Sequence, residues 1–448
     1  MDRPDKSAAR AQPELTRGLG PWAAASLVVG TIIGTGIFLK TAVMAQTAGS
    51  AAWVLAAWAC AGGLSLFGAL TYAELGAMFP RAGGEYVFLR EGYGPGMGYL
   101  FAWNRFWIAT PGSIAAYAVG TTTFLGGVVD IDPDSKLVAI GLVVLFTGVN
   151  CFPVRAGGWL QTVLTVMKVV MIGGLAVGAL FFASGGNWSR VTDTGPGFPG
   201  WSAFGAMVLA ALWAYDGWNN LPMAAGEVRD PQRNLPRAIV WGALGVFVIY
   251  ALVNIGYFHA LPFSEVAAPG STSVAQKTAT TFLGGPAQAL LAAAMAISAI
   301  SAMNGSMLTG ARVPYAVAND GLAPRALANV AEGARVPVVS VLVQGGLAVI
   351  YALNARFNAL TDAVVFASWL FYALNAGTVL LLRKREPDRE RSFRVPGFPV
   401  VPVIFMALAL LLLVNTIWTA PRASTLGLST TALGLVVYFA FYHRRTNQ

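Results

Sequence analysis

The sequence predicts an all-α integral membrane protein with twelve transmembrane helices, and three observations carry that expectation. Of 448 residues, 56% are apolar and only 11% charged, against about 25% charged in an ordinary soluble domain. Apolar runs long enough to cross a bilayer, about 20 residues each, recur along the whole length. Lys and Arg gather in alternate connections between those runs, the pattern of a multi-pass chain with its positive side inside.

In order, the runs fall at 20–46, 52–79, 97–125, 137–153, 159–183, 202–225, 237–260, 282–311, 337–353, 360–382, 400–419 and 425–442. They leave no room for a separate soluble domain. Residues 1–19 form a polar, basic tail with no short apolar core before a cleavage site, so the first run is expected to be a span and not a removed signal peptide. Residues 443–448 form the other tail.

With the first tail in the cytoplasm, that side collects 21 cations: Arg3, Lys6, Arg10, Arg17, Arg81, Arg90, Arg155, Arg229, Arg233, Arg237, Arg312, Arg325, Arg335, those between Arg383 and Arg394, and Arg444 with Arg445. The opposite side receives five, Lys136, Arg190, Lys277, Arg356 and Arg422, while Lys40, Arg105 and Lys168 lie inside spans. Both tails are therefore expected in the cytoplasm. The net charge of +9 serves topology and contact with anionic lipid, and argues no case for nucleic acid.

Cys60 and Cys151 sit in or beside apolar runs, where a small hydrophobe is the ordinary reading. His259 and His443 are far apart in sequence. So few His and Cys argue against a transition-metal centre, and no cofactor is expected. No nucleophile–base or His-Glu-x-x-His pattern points to an enzyme.

Two runs are interrupted. Gly34-Thr35-Gly36 breaks the first, and Ala214-Tyr-Asp-Gly-Trp-Asn219 breaks the sixth about 180 residues later. Lipid offers nothing to a loose backbone, so irregular chain at membrane depth survives only where it lines a cavity. Paired breaks in two halves point to a carrier's substrate site. The helix restarting after Gly36 offers free N–H groups and a positive end, suited to a carboxylate. The half that stops at this break leaves free carbonyls suited to an ammonium group. At the sixth run the carbonyls of Trp213, Ala214 and Asp216 are released before Gly217. Together these fit the backbone of a zwitterionic amino acid. Glycines that merely allow close helix packing are the competing reading.

At this point a resemblance is plain. Gly30-Thr-Ile-Ile-Gly-Thr-Gly-Ile-Phe38, Trp213-Ala-Tyr-Asp-Gly-Trp-Asn219 and Gly226-Glu-Val-Arg-Asp-Pro-Gln-Arg-Asn-Leu-Pro-Arg237 resemble the amino acid–polyamine–organocation superfamily, and within it the L-type amino acid transporter family. Pro80-Arg-Ala-Gly-Gly-Glu-Tyr86, Arg312-Val-Pro-Tyr-Ala-Val-Ala-Asn-Asp-Gly-Leu-Ala-Pro324 and Arg394-Val-Pro-Gly-Phe-Pro-Val-Val-Pro402 are similar to its cytoplasmic loops and its entry to the eleventh span. The likeness covers nearly the whole chain.

The resemblance implies a LeuT-type fold: inverted five-helix repeats at 20–183 and 202–382, then two peripheral helices at 400–442. It places substrate contacts on Ile32, Thr35 and Gly36, with Ile33 and Gly34 in the same break, and on Trp213, Ala214, Asp216 and Gly217. It further makes Trp213 an aromatic gate and gives Asn219 the task of steadying the second break.

Lys168, deep in the fifth span, marks function by default, since a buried ammonium is expensive; the alternative is a side chain snorkelling to an interface. In the resembling family a lysine here stands where sodium-coupled relatives bind Na+, linking the first and eighth spans, which implies sodium-independent transport. Asp216 departs from the glycine commoner among eukaryotic members. It either caps the restarting half-helix or contacts a cationic group. Glu227, Asp230, Arg233 and Arg237 form a mixed-charge loop, read as a solvated face or as a gate network. Glu74, Arg105 and Lys40 have no partner assignable from sequence. Ser298, Ser301 and Asn304 line the cavity or bond neighbouring helices. Asn187-Trp-Ser189 matches a glycosylation acceptor, a triplet common by chance.

Animal members of the family join a heavy chain through a cysteine between the third and fourth spans. Here that loop carries Asp130, Asp132 and Asp134 and no cysteine, so a disulfide-linked heavy chain is not expected and a stand-alone bacterial carrier is. The expected function is sodium-independent exchange of neutral L-amino acids in the inner (plasma) membrane. The alternatives are proton-coupled symport, or carriage of cationic amino acids or polyamines; a channel is disfavoured by the closed midplane site.

Overall fold

A computed structural model describes residues 15–443, except 127, 130, 133, 134, 196, 269, 271, 286, 355 and 356, and except the side chains of 154–156 and 287. Most of the first tail with Arg3, Lys6 and Arg10, the second tail with Arg444 and Arg445, Asp130, Asp134, Arg356 and the Arg155 side chain lie outside the described residues.

The described chain is helical, with no strand beyond one isolated bridge between Leu19 and Val228. The first half comprises α1 (Pro21–Ile32), α2 (Gly36–Ala48), α3 (Ala51–Met78), α4 (Glu85–Tyr93), α5 (Pro95–Asn104), α6 (Thr110–Leu125), α7 (Lys136–Val149) and α8 (Val154–Phe181). The second comprises α9 (Trp201–Tyr215), α10 (Asn220–Met223), α11 (Pro231–Ala260), α12 (Phe263–Ala267), α13 (Val274–Leu283), α14 (Ala287–Gly310), α15 (Arg312–Asn319), α16 (Val338–Asn354) and α17 (Phe357–Arg385). Two further helices follow, α18 (Val400–Thr419) and α19 (Pro421–Phe441).

Local chemistry sets several boundaries. Pro21, Pro95, Pro231 and Pro421 stand in the first turns of α1, α5, α11 and α19, where a missing N–H costs nothing. Gly49, at φ 70°, ends α2 in the left-handed region. Ser273 and Gln276 exchange hydrogen bonds as a capping box opening α13.

Among the described residues, eight helical stretches are long and apolar enough to cross a membrane: Pro21–Ala48, Ala51–Met78, Gly157–Phe181, Pro231–Ala260, Gln288–Asn319, Phe357–Arg385, Val400–Thr419 and Pro421–Phe441. α7, α9 and α16 are apolar but shorter. α5 and α6 are joined by a π-helical turn, Arg105–Ala109. The eighth predicted run needs correction, because its start at 282 belongs to the end of α13 and α14 begins only at Ala287. Apolarity does not distinguish a surface helix from the span after it.

Connections expected on one side of the membrane touch one another. Leu19 N–H bonds Glu227 O and Arg229 N–H bonds Leu19 O, both at 2.9 Å; Gly83 N–H bonds Met223 O at 2.9 Å; Arg90 pairs with Asp320; Arg385 reaches Gly92 O at 2.8 Å. The other set also closes on itself: Ala52 N–H on Asp193 O at 3.1 Å, Asn187 N–H on His259 O at 2.9 Å, Lys136 Nζ on Leu353 O at 2.6 Å.

Candidate functional site

α1 stops at Ile32 and α2 restarts at Gly36; α9 stops at Tyr215 and α10 restarts at Asn220. The two breaks lie against each other. Thr31 Oγ1 donates to Gly217 O at 3.0 Å. A Cβ on Gly36 would lie 2.5 Å from Ala214 Cα, and one on Gly217, whose φ is 125°, would lie 2.8 Å from Ile32 N. Both glycines are therefore demanded by the approach of one backbone to the other. The close packing that was one reading of these glycines is what the two breaks show.

The N–H groups of Gly34, Thr35 and Gly36 donate to no backbone carbonyl among the described residues, leaving donors at the positive end of α2. The carbonyls are a correction to the sequence reading, which expected them free. Lys168 Nζ donates to Gly30 O at 2.8 Å, Ile33 O at 2.6 Å and Ser298 O at 3.1 Å. Tyr250 Oη lies 3.2 Å from both Ile32 O and Ala214 O, and Trp213 O accepts from Asp216 N–H at 3.3 Å. Ile33 O also accepts from Ser298 Oγ at 3.2 Å, so the lone pairs left to a ligand's ammonium are those on Ile32 O, Trp213 O and Ala214 O. Lys168 is 1% exposed and does not snorkel.

Trp213 is 2% exposed, donates from Nε1 to Thr35 Oγ1 at 3.3 Å, and packs against Tyr117 with ring centroids 5.3 Å apart and against Phe357 at 6.2 Å. Lys40, on α2, reaches Asn358 Oδ1 at 3.0 Å and Thr361 Oγ1 at 2.9 Å on α17 and lies over the Phe357 ring. It thereby ties the restarting half-helix to the element covering Trp213.

On the other side of the second break lies a buried polar cluster. Tyr372 Oη donates to Asp216 Oδ1 at 2.7 Å, Asn219 Nδ2 to Glu85 Oε1 at 2.7 Å, and Arg105 Nη2 to Asn220 Oδ1 at 2.6 Å. The capping reading of Asp216 fails, because α10 has Asn219 at its N-cap and no side-chain cap bond. Asn219 does tie the break down, through Glu85.

Several of the remaining charges find partners. Arg312 Nε and Nη2 bond both Glu227 oxygens at 3.1 and 3.0 Å, with each side chain 1% exposed. Asp230, Arg233 and Arg237 are exposed, so only Glu227 leaves the solvated face. Glu74 takes Arg383 bidentately at 2.8 and 2.7 Å. Ser298 Oγ bonds Ile33 O at 3.2 Å in the break, whereas Ser301 and Asn304 bond Gln161 on α8. Tyr117, Tyr250 and Glu85 escaped the sequence reading: an aromatic in an apolar run reads as core, and Glu85 sits in a loop motif. No group of His, Cys, Asp and Glu among the described residues is arranged to hold a metal.

A family model described as amino acid permease matches residues 19–441. The mouse "b(0,+)-type amino acid transporter 1" is 33% identical over 438 residues, covering 96% of this chain and 88% of that one. The "Serine/threonine exchanger SteT" of Bacillus subtilis (strain 168) is 30% identical, covering 97% and 98%. The human "Large neutral amino acids transporter small subunit 2" is 29% identical, covering 95% and 80%.

Proposed function

Since the chain belongs to the amino acid permease family, we propose that it exchanges neutral L-amino acids without sodium, by alternating access. It is a multi-pass membrane transporter and not an enzyme. The proposed frame is the twelve-span, LeuT-type one: repeats at 20–183 and 202–382, peripheral helices at 400–442, and both tails in the cytoplasm of the inner membrane. No disulfide-linked heavy chain is required.

The observation that carries the sodium-independent reading is the Lys168 ammonium among the carbonyls of Gly30, Ile33 and Ser298. A fixed cation already occupies the oxygen cage that a sodium ion would need. The free donors at Gly34, Thr35 and Gly36 suit the substrate carboxylate, and the breaks' carbonyls its ammonium. Trp213 covers the site. Exchange draws support from the likeness to the serine/threonine exchanger of Bacillus subtilis.

The test is uptake of labelled serine or leucine into proteoliposomes. Unlabelled amino acid inside should accelerate entry several-fold, and replacing sodium by choline should change nothing. Uptake that requires sodium, or equal rates into empty vesicles, overturns the reading. Asp216, 8% exposed at the second break, favours a second reading in which cationic amino acids are also accepted; competition by lysine or arginine decides it.

A further inference from the structure

Several buried side-chain atoms that lack a hydrogen-bond partner fall in one place: Glu85 Oε2, Arg105 Nε, Asn219 Oδ1 and Asn375 Oδ1. Their residues are 0%, 3%, 0% and 0% exposed. They converge from the start of α4, the π-helical turn, the second break and α17. Three of the four atoms are acceptors and one is a donor. Arg105 spends a terminal N–H on Asn220, not on Glu85. The Glu85 carboxylate receives a hydrogen bond from Asn219 at Oε1 and faces the Tyr72 hydroxyl, while Oε2 has no partner. Ionised, it would be a buried anion with one oxygen unpaired, an arrangement proteins avoid by neutralising the group.

One proton resolves the mismatch. It turns Glu85 Oε2 from acceptor to donor in a cluster with surplus acceptors. The charge count agrees. Facing Glu85 are Arg105 from the π-helical turn, Asp216 from the second break, Tyr72 from α3 and Tyr372 from α17. One cation stands among two carboxylates, so a single proton makes the cluster neutral.

The cluster also lies where the protein must open. Gly83 N–H bonds Met223 O at 2.9 Å, and a Cβ on Gly84 would lie 2.8 Å from Met223 N, so the start of α4 is seated directly on α10. Parting these two elements separates Glu85 from Asn219 and admits water.

We propose that Glu85 is a proton-binding site, loaded while α4 and α10 are closed over the second break and unloaded when they part. Burial pushes its carboxyl up to about 8, in the same sense. The site does not depend on which amino acid is carried, and it differs from a proton on Lys168, whose donors are already spent on carbonyls.

Two measurements test it. Infrared difference spectra of the purified protein between about pH 6 and about pH 9 should contain a protonated-carboxyl C=O band that disappears on alkalinisation and is missing in Glu85→Gln. An Asp216→Asn variant should keep it. Exchange in proteoliposomes, with equal pH on both sides, should fall about tenfold across the same range, the fraction protonated following the Glu85 titration. In Glu85→Gln that ratio should collapse to within about twofold. A titrating band that survives in Glu85→Gln, or a parental pH ratio in that variant, overturns the proposal. Should Glu85→Gln transport nothing, the infrared result decides alone. Failure of amino acid exchange by the parent would sink the transport reading and leave the infrared test standing.

Discussion

At the scale of single residues, Lys168 carries the most. Its ammonium satisfies three main-chain carbonyls at 2.6–3.1 Å in a site 1% exposed. Lys168→Met keeps the stem and removes the donors, leaving buried acceptors at a cost of about 1–3 kcal/mol each. Exchange in vesicles should fall more than about tenfold, at every pH tested; near-parental exchange would mean that the first break holds its shape unaided. Glu85 gives a second expectation, about stability. Its carboxyl rises from 4.5 to about 8 on burial, so between those values the folded protein holds a proton that the unfolded chain has released. Stability therefore falls as pH rises through that window. Thermal midpoints in detergent should decline between about pH 5 and about pH 8, less steeply in Glu85→Gln; parallel curves refute it. Lys168 was legible in sequence because a charge amid apolar neighbours is costly at span centre, with snorkelling as its single bland alternative. Glu85, in a polar loop motif, has many, and only its burial against Asn219 reveals it.

At the scale of elements, the two breaks are one structure. Gly36 rests on Ala214, and Gly217 rests on Thr31 and Ile32. Gly36→Val must push α2 off α9, so it should abolish exchange and also lower the thermal midpoint. A variant of parental stability that merely loses substrate would instead put the added side chain in an open cavity. The sequence showed that both helices break, since glycine beside threonine or tryptophan in an apolar run is conspicuous. That they touch depends on residues about 180 apart, and no local pattern encodes it. The same limit applied to Arg312. Written as one more cytoplasmic cation, it is in fact locked bidentately to Glu227. Glu227→Gln strands a buried guanidinium, costing about 3–5 kcal/mol. The double variant Glu227→Leu, Arg312→Leu should recover much of that loss in thermal midpoint. Equal destabilisation by single and double variants would show that packing, not charge, dominates there.

At the scale of the whole molecule, what matters is how many times the chain crosses. Eight stretches qualify by length and apolarity. The alternation of basic connections was legible because the bilayer imposes it on sequence directly, but a broken helix hides its own length. α9 has 15 residues, about 22 Å at 1.5 Å per residue, short of the roughly 30 Å apolar core of a bilayer. Only with the break and α10 would Trp201–Met223 be long enough to cross. The contacts agree with a crossing: Asn187 pairs with His259 in one set of connections, whereas Glu227 and Arg229 pair with Leu19 in the other. Trp188, 57% exposed, and Arg229, also exposed, flank this stretch on its two sides. In a background with Cys60 and Cys151 replaced by serine, an impermeant thiol reagent added to intact cells should label Trp188→Cys. Arg229→Cys should stay unlabelled until the membrane is permeabilised. Labelling of both from outside would mean that Trp201–Met223 re-enters on the side it left, which reverses every later connection. The basic loops would then lie outside, and the inverted-repeat frame would fall with them.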